Sequence, residues 1–83
     1  MRLDKFLKVS RLIKRRTVAN EVCDSARVFV NNNPAKPAKQ LKVGDIISIE
    51  YKNMIKTYKI LVLPVGNVPI SMANTLYEEI IEN

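Results

Sequence analysis

The sequence predicts a small α+β domain in which two short helices come first, short strands follow, and a last helix closes the chain. Three observations carry this reading. Apolar residues recur at helical spacing up to Asp24, and from Val28 the period drops to two. Asparagine, proline and glycine then interrupt the chain at Asn31 to Pro34, Pro37 and Gly44, too often for long helices. After Ser71 the apolar residues again fall four apart. A chain of 83 residues allows one domain at most. Its hydrophobic share of 47% is that of a globular fold rather than a disordered tail.

The first helix spans Arg2 to about Val9, with Leu3, Phe6 and Leu7 on one face and Arg2, Lys5 and Lys8 off it. Asp4 in its first turn suits the helix dipole. Ser10 can end this helix. The second runs from about Arg15 or Thr17 to Asp24, with Thr17 as its N-cap and Val18, Ala19, Val22 and Cys23 on the buried side. Its start coincides with Lys14-Arg15-Arg16, so free amides and three cations meet where a phosphate would be held.

Val28 to Val30 is a short strand closed by Asn31-Asn32-Asn33, since asparagine tolerates the left-handed conformation of a tight turn. Pro34 to Lys39 is extended, its two prolines excluding helix and disfavouring a central strand. Val43-Gly44-Asp45 turns, Ile46 to Tyr51 is a strand, Lys52-Asn53 turns again, and Ile55 to Leu63 pairs back. Pro64 to Pro69 is a connector. Ser71 then caps a terminal amphipathic helix whose rows are Met72, Leu76, Ile80 and Ala73, Tyr77, Ile81. The organisation is thus residues 1–63 as a binding domain and 64–83 as connector and C-terminal helix.

Charge points to function. The formal net charge is +6, and the whole excess sits in residues 1–16. There Arg2, Lys5, Lys8, Arg11, Lys14, Arg15 and Arg16 face Asp4 alone, while the remaining residues nearly balance. A dispersed excess aids solubility; a concentrated one is a footprint for a polyanion. Catalytic chemistry is poorly supplied. There is no histidine, the acids are scattered, and Gly44 and Gly66 are too far apart for a phosphate-cradling loop. Cys23 reads as a buried structural thiol. No catalytic residue, metal ligand or cofactor is expected. A single cysteine and the lack of a long apolar run fit a cytoplasmic protein without a membrane partner.

The run Arg2-Leu3-Asp4-Lys5-Phe6-Leu7, then Ser10-Arg11, Lys14-x-Arg16-Thr17-x-Ala19 and Arg27-Val28-x-Val30-Asn31, resembles the RNA-binding domain named after ribosomal small-subunit protein S-four, or alpha-L motif. The resemblance covers about residues 2–51 and implies two short helices packed on a small, strongly bent, mostly antiparallel sheet. Pro34 to Lys39 entering Val43-Gly44-Asp45 is similar to heat-shock protein fifteen and its relatives. Stand-alone members of about this length act in ribosome-associated quality control. They bind large ribosomal subunits that still carry peptidyl-tRNA and help add an untemplated C-terminal tail to the nascent chain.

Carried over by position, the resemblance implies RNA contacts from Arg2, Lys5, Arg11, Lys14 and Arg16, with Ser10 and Thr17 as polar donors beside them. Lys36 and Lys39 match a second basic edge, where lysine also blocks edge-to-edge aggregation. Lys8 and Arg15 fit either phosphate contact or a solvated face. Asp4 corresponds to a family position and would orient Arg16 or Arg15, or simply favour the dipole. Two positions depart from the pattern: Ala26 replaces a glycine before the first strand, and Asn31-Asn32 replaces Asn-Gly. The implied partners are large-subunit ribosomal RNA, peptidyl-tRNA and the tailing factor of the pathway, bound by a monomer. Open alternatives are a ribosome assembly factor or RNA chaperone, an accessory domain acting on tRNA in trans, and a protein-interaction module with a basic face.

Overall fold

The computed structural model describes residues 1–81. Helix α1 is Leu3–Val9 and α2 is Arg16–Asp24. Strands β1 (Val28–Val30), β2 (Asn33–Pro34), β3 (Ile46–Glu50) and β4 (Ile55–Ile60) follow, then a 3-10 helix at Ile70–Thr75 and strand β5 (Tyr77–Ile80). All pairings in the sheet are antiparallel, in the order β2-β1-β3-β4-β5.

A seven-residue helix is marginal alone, so α1 depends on packing and on having its ends satisfied. Leu3, Phe6 and Leu7 are fully buried against Ala19 and Cys23 of α2 and the sheet residues Val28, Ile47, Ile49 and Ile60. No side chain caps its N-terminus at Arg2. Instead the segment after β2, which is not extended throughout as expected but turns at residues 36–39 with Lys39 N donating to Lys36 O at 3.0 Å, supplies main-chain acceptors. Leu3 N donates to Lys39 O at 2.8 Å and Asp4 N to Pro37 O at 3.1 Å. Leu41 N donates back to Met1 O at 3.0 Å, so residues 37–41 are stitched along the helix start.

Both helices end in a left-handed residue that is not glycine. Ala26 has φ 60°, and after α2 its amide bonds Cys23 O while Arg27 N bonds Val22 O, the paired pattern of a Schellman motif. Arg11 has φ 61° after α1, with its amide on Lys8 O, while Ile13 N takes Leu7 O. The Asn31-Asn32 loop joins the paired residues Val30 and Asn33 with φ 51° and 70°, the double left-handed turn that suits a two-residue hairpin. Asparagine fills the role of glycine there. Its fit is reinforced: Asn31 Nδ2 donates to Asp45 Oδ1 at 3.1 Å and its Oδ1 accepts from Ile46 N at 3.0 Å.

Several sequence expectations are corrected. Thr17 is not the N-cap of α2; Arg15 is, because Ala19 N closes the first turn on Arg15 O at 3.0 Å. Val18 is 40% exposed and Val22 half-buried, leaving Ala19 and Cys23 as the buried face. Strand β4 stops at Ile60 rather than Leu63, since Leu61 N and Val62 N both turn to Leu76 O. The terminal helix does not form. Its first half is the 3-10 helix, and its second half is β5, which completes the sheet on β4. That open edge offers the β4-facing backbone groups of residues 77–80 main-chain partners and places β5 at the edge of the sheet. Tyr77 stacks edge-on to Tyr58 at 5.3 Å, and Glu78 lies directly opposite Lys59. Glu78 and Glu79 thus sit on a strand, where no helix dipole acts on them, and Glu82 lies outside the described residues.

Replacing Ala26 by glycine removes the left-handed strain without touching the core, and raises stability by about 1 kcal/mol, read as an increased urea midpoint at unchanged slope.

Candidate nucleic-acid interface

Asp4 organises the basic surface. Its side chain is 2% exposed, and its carboxylate receives five hydrogen bonds. Arg2 donates Nε to Oδ1 at 3.1 Å and Nη2 to Oδ2 at 3.2 Å. Lys5 N donates to Oδ1 at 2.8 Å, Arg16 Nη2 to Oδ1 at 3.4 Å and Asn20 Nδ2 to Oδ2 at 3.3 Å. Burial pushes this carboxyl's pKa up, but the bonds from Arg2, Arg16 and Asn20 and the Arg16 charge outweigh it and hold the pKa below the ordinary value. One ionised group thus ties α1 to α2 and fixes two guanidinium groups that are themselves nearly half exposed. Among the described residues, Arg2 keeps Nη1 and Arg16 keeps Nε and Nη1 unengaged, turned to no protein acceptor. Arg15, the other partner considered for Asp4, does not reach it.

Beside this hub lies an open cleft of about 600 Å³. Lys5, Lys8, Arg11 and Arg16 line it, and no acid does. Lys8, read from sequence as possible surface charge, is therefore part of the basic wall. Arg11 enters it from the left-handed C′ position of α1, where glycine would be the unstrained choice. The cleft is completed by Gly66, Asn67 and Val68 of the connector and by Ile70 at the start of the 3-10 helix, and no local pattern in the sequence places them there. Loops carry no periodicity, and only the fold brings this one round.

The other candidate residues are distributed as follows. Lys14 and Arg15 are exposed at the start of α2, where the amides of Arg16, Thr17 and Val18 find no acceptor among the described residues. Thr17 is exposed on the first turn of α2 and lines a shallow hollow with Asp4, Arg16 and Asn20. Lys36 and Lys39 line a separate concavity of about 320 Å³ with Asn31 and Asn33, at the β2 edge rather than in the main cleft. Ser10 is only 1% exposed; its hydroxyl donates to Leu7 O at 3.2 Å and accepts from Leu12 N at 3.5 Å. It belongs to the turn after α1, not to the surface. Asn20, which the sequence reading missed, is a member of the Asp4 hub, and its place three residues after Thr17 on the α1-facing side was the available signal.

Cys23 is buried, and burial, with the charges of Asp4 and Asp24, pushes its thiol up to about 11. It is a protonated core group at neutral pH. Among the described residues no cluster of His, Cys, Asp and Glu could hold a metal ion, and no helix is long and apolar enough to cross a membrane.

Two helices tied by a buried carboxylate, with a cationic cleft beside them and a small antiparallel sheet beneath, define a compact basic domain of the nucleic-acid-binding class. The S4 domain matches residues 1–47, more than half of the sequence, and the chain belongs to that family. It is 50% identical over 78 residues to the RQC P-site tRNA stabilizing factor of Halalkalibacterium halodurans, covering 94% of this chain and 88% of that protein. Identity to the protein of the same name from Helicobacter pylori is 46% over 70 residues, 83% of each chain. The trimeric structure of Vibrio cholerae heat shock protein 15 superposes with a TM-score of 0.86 at 30% identity, covering 96% of this chain and 81% of that one.

Two outcomes follow. Asp4→Asn loses the charge that both arginines bind and is less stable than wild type by about 1–2 kcal/mol at pH 7. Because the folded pKa is depressed, the Asp4 contribution is present above the unfolded value, near 4, and is lost as pH falls through the folded one. The gap between the two proteins therefore narrows on acidification, which urea unfolding at pH 7 and pH 3 would measure. Arg11→Gly relieves backbone strain, so its stability is unchanged or higher by up to about 1 kcal/mol, yet its affinity for a fluorescein-labelled RNA hairpin falls roughly tenfold, as expected for one lost phosphate contact of about 1–2 kcal/mol.

Proposed function

We propose that this protein binds ribosomal RNA and tRNA through the Asp4-centred basic face, and works in ribosome quality control by steadying peptidyl-tRNA on the large ribosomal subunit. The observation that carries the reading is the cleft whose charged lining is entirely cationic: Lys5, Lys8, Arg11 and Arg16. The name shared by its relatives, which describes stabilisation of P-site tRNA in that pathway, supports it.

The mechanism is one of positioning. A-form RNA hides its base edges in a narrow major groove, so a rigid set of cations reads shape and phosphate spacing instead of sequence. Arg2 and Arg16 arrive pre-oriented by Asp4, which lowers the rotamer entropy lost on binding. Lys14, Arg15 and Thr17 add contacts at the open start of α2. Lys36 and Lys39 extend the footprint along the β2 edge, reaching a second stretch of backbone. Wedged between ribosomal RNA and tRNA, the domain supports C-terminal tailing of the stalled chain by holding the tRNA in place. The bond-forming step belongs to the ribosome, with the tailing factor of the pathway as a neighbouring partner. The protein acts in the cytoplasm, as a monomer and without a cofactor.

Sedimentation of the tagged protein from lysate on a sucrose gradient tests this. Wild type is expected in the large-subunit fraction together with peptidyl-tRNA, and Arg16→Ala at the top of the gradient. Recovery on small subunits would redirect the reading to assembly. Absence from ribosomal fractions even at low salt would overturn it. With about six phosphate contacts, binding should weaken roughly a thousandfold from low to physiological salt.

A further inference from the structure

We propose that the connector after β4, residues 64–69, with Ile70 at the start of the 3-10 helix, is the second wall of the RNA site, so that one phosphodiester strand runs between it and the cations of α1, its C-terminal turn and α2. This rests on the RNA-binding reading above and extends it to a segment outside the residues that match the S4 domain.

The cleft has two unlike sides. One is formed by Lys5, Lys8, Arg11 and Arg16; the other, by Gly66, Asn67, Val68 and Ile70, bears no charge. The uncharged side is nevertheless rich in donors. Among the described residues, the amides of Val65, Gly66, Asn67 and Val68 donate to no protein group, and Asn67 adds a side-chain amide. Successive unengaged main-chain N–H groups form a surface suited to anionic oxygens, and three of these residues, Gly66, Asn67 and Val68, line the same open cleft as the four cations. Half or more of protein–nucleic acid hydrogen bonds go to phosphate and sugar, from main-chain amides as well as side chains.

The wall is held in place rather than loosely draped. Leu63 and Val68 pack against the core on either side of the bend. Gly66 makes that bend with φ +79°, and a Cβ there would meet nothing within 4 Å, so conformation rather than space calls for glycine. Ile70 is 71% exposed at the cleft's edge and Val65 is 99% exposed beside it, apolar surface that a ribose or base face would cover.

The test uses the full chain and a short fluorescein-labelled RNA hairpin, with anisotropy for affinity and amide NMR shifts for location. Asn67→Asp places an anion in the cleft, while Asn74→Asp places one on the exposed 3-10 helix outside it. Asn67→Asp is expected to bind about tenfold more weakly than wild type, with Asn74→Asp unchanged. RNA should shift the amides of Gly66, Asn67 and Val68 in the wild-type protein, and the spectra also establish that each variant is folded. If Arg11→Gly loses affinity while Asn67→Asp binds like wild type and those amides do not move, the connector is not a wall of the site and the RNA reading survives. If Arg11→Gly also binds like wild type, the RNA reading itself falls, and this inference with it. Equal weakening in Asn67→Asp and Asn74→Asp would mean that overall charge acts, and would overturn the inference too.

Discussion

The Asp4 carboxylate is the constraint on which the rest of this small protein turns. A buried ionised group is tolerated only when its charge and lone pairs are answered, and here two guanidinium groups, one side-chain amide and one main-chain amide answer it. The arrangement sets the relation of α1 to α2, because Arg2 caps the first helix, Lys5 lies within it, and Arg16 and Asn20 come from the second. It also decides how the surface presents charge. Exposed arginines ordinarily sample many rotamers, whereas these are held at their inner edge and offer the outer one. Structural support and the presentation of charge therefore meet in a single side chain.

A second tension lies in the backbone. Arg11 and Ala26 occupy equivalent positions after the two helices, and both take a conformation that glycine would adopt without strain. Ala26 lines no basic cleft, and nothing in the structure explains why alanine stands there. Arg11 does line one, so the same backbone penalty places a guanidinium at the junction of α1 and the loop beyond it. Such a position projects the side chain away from the helix axis, toward a spot that no in-register helical residue would reach.

The parts of this fold legible in the sequence were those with a clear period or an unambiguous breaker. Leu3, Phe6 and Leu7 marked α1, Val28 and Val30 marked β1, and Asn31-Asn32 announced the turn, since few other residues accept two left-handed steps. The clustered cations marked the residues that line the basic cleft. What stayed hidden depended on partners distant in sequence. The spacing of Met72, Leu76 and Ile80 fits a helix, yet an unpaired β4 edge, with Lys59 opposite Glu78 and Tyr58 in edge-on contact with Tyr77, draws the second half into the sheet. Ser10 looked like a surface donor because serine commonly is one; its hydroxyl is instead consumed by the turn it sits in. The connector's place along the cleft follows from where β4 ends, and no local pattern encodes that.

The capping of α1 has a temporal consequence. Its first two amides are satisfied by the carbonyls of Pro37 and Lys39, and Met1 is tied to Leu41. During synthesis the helix that carries Lys5 and Lys8 cannot be completed until nearly half of the chain has been made and has left the exit tunnel. Until then the seven-residue segment is too short to persist. A cation-rich N-terminus emerging beside ribosomal RNA thus begins as a flexible polycation and becomes a shaped surface only once its own later residues arrive to close it.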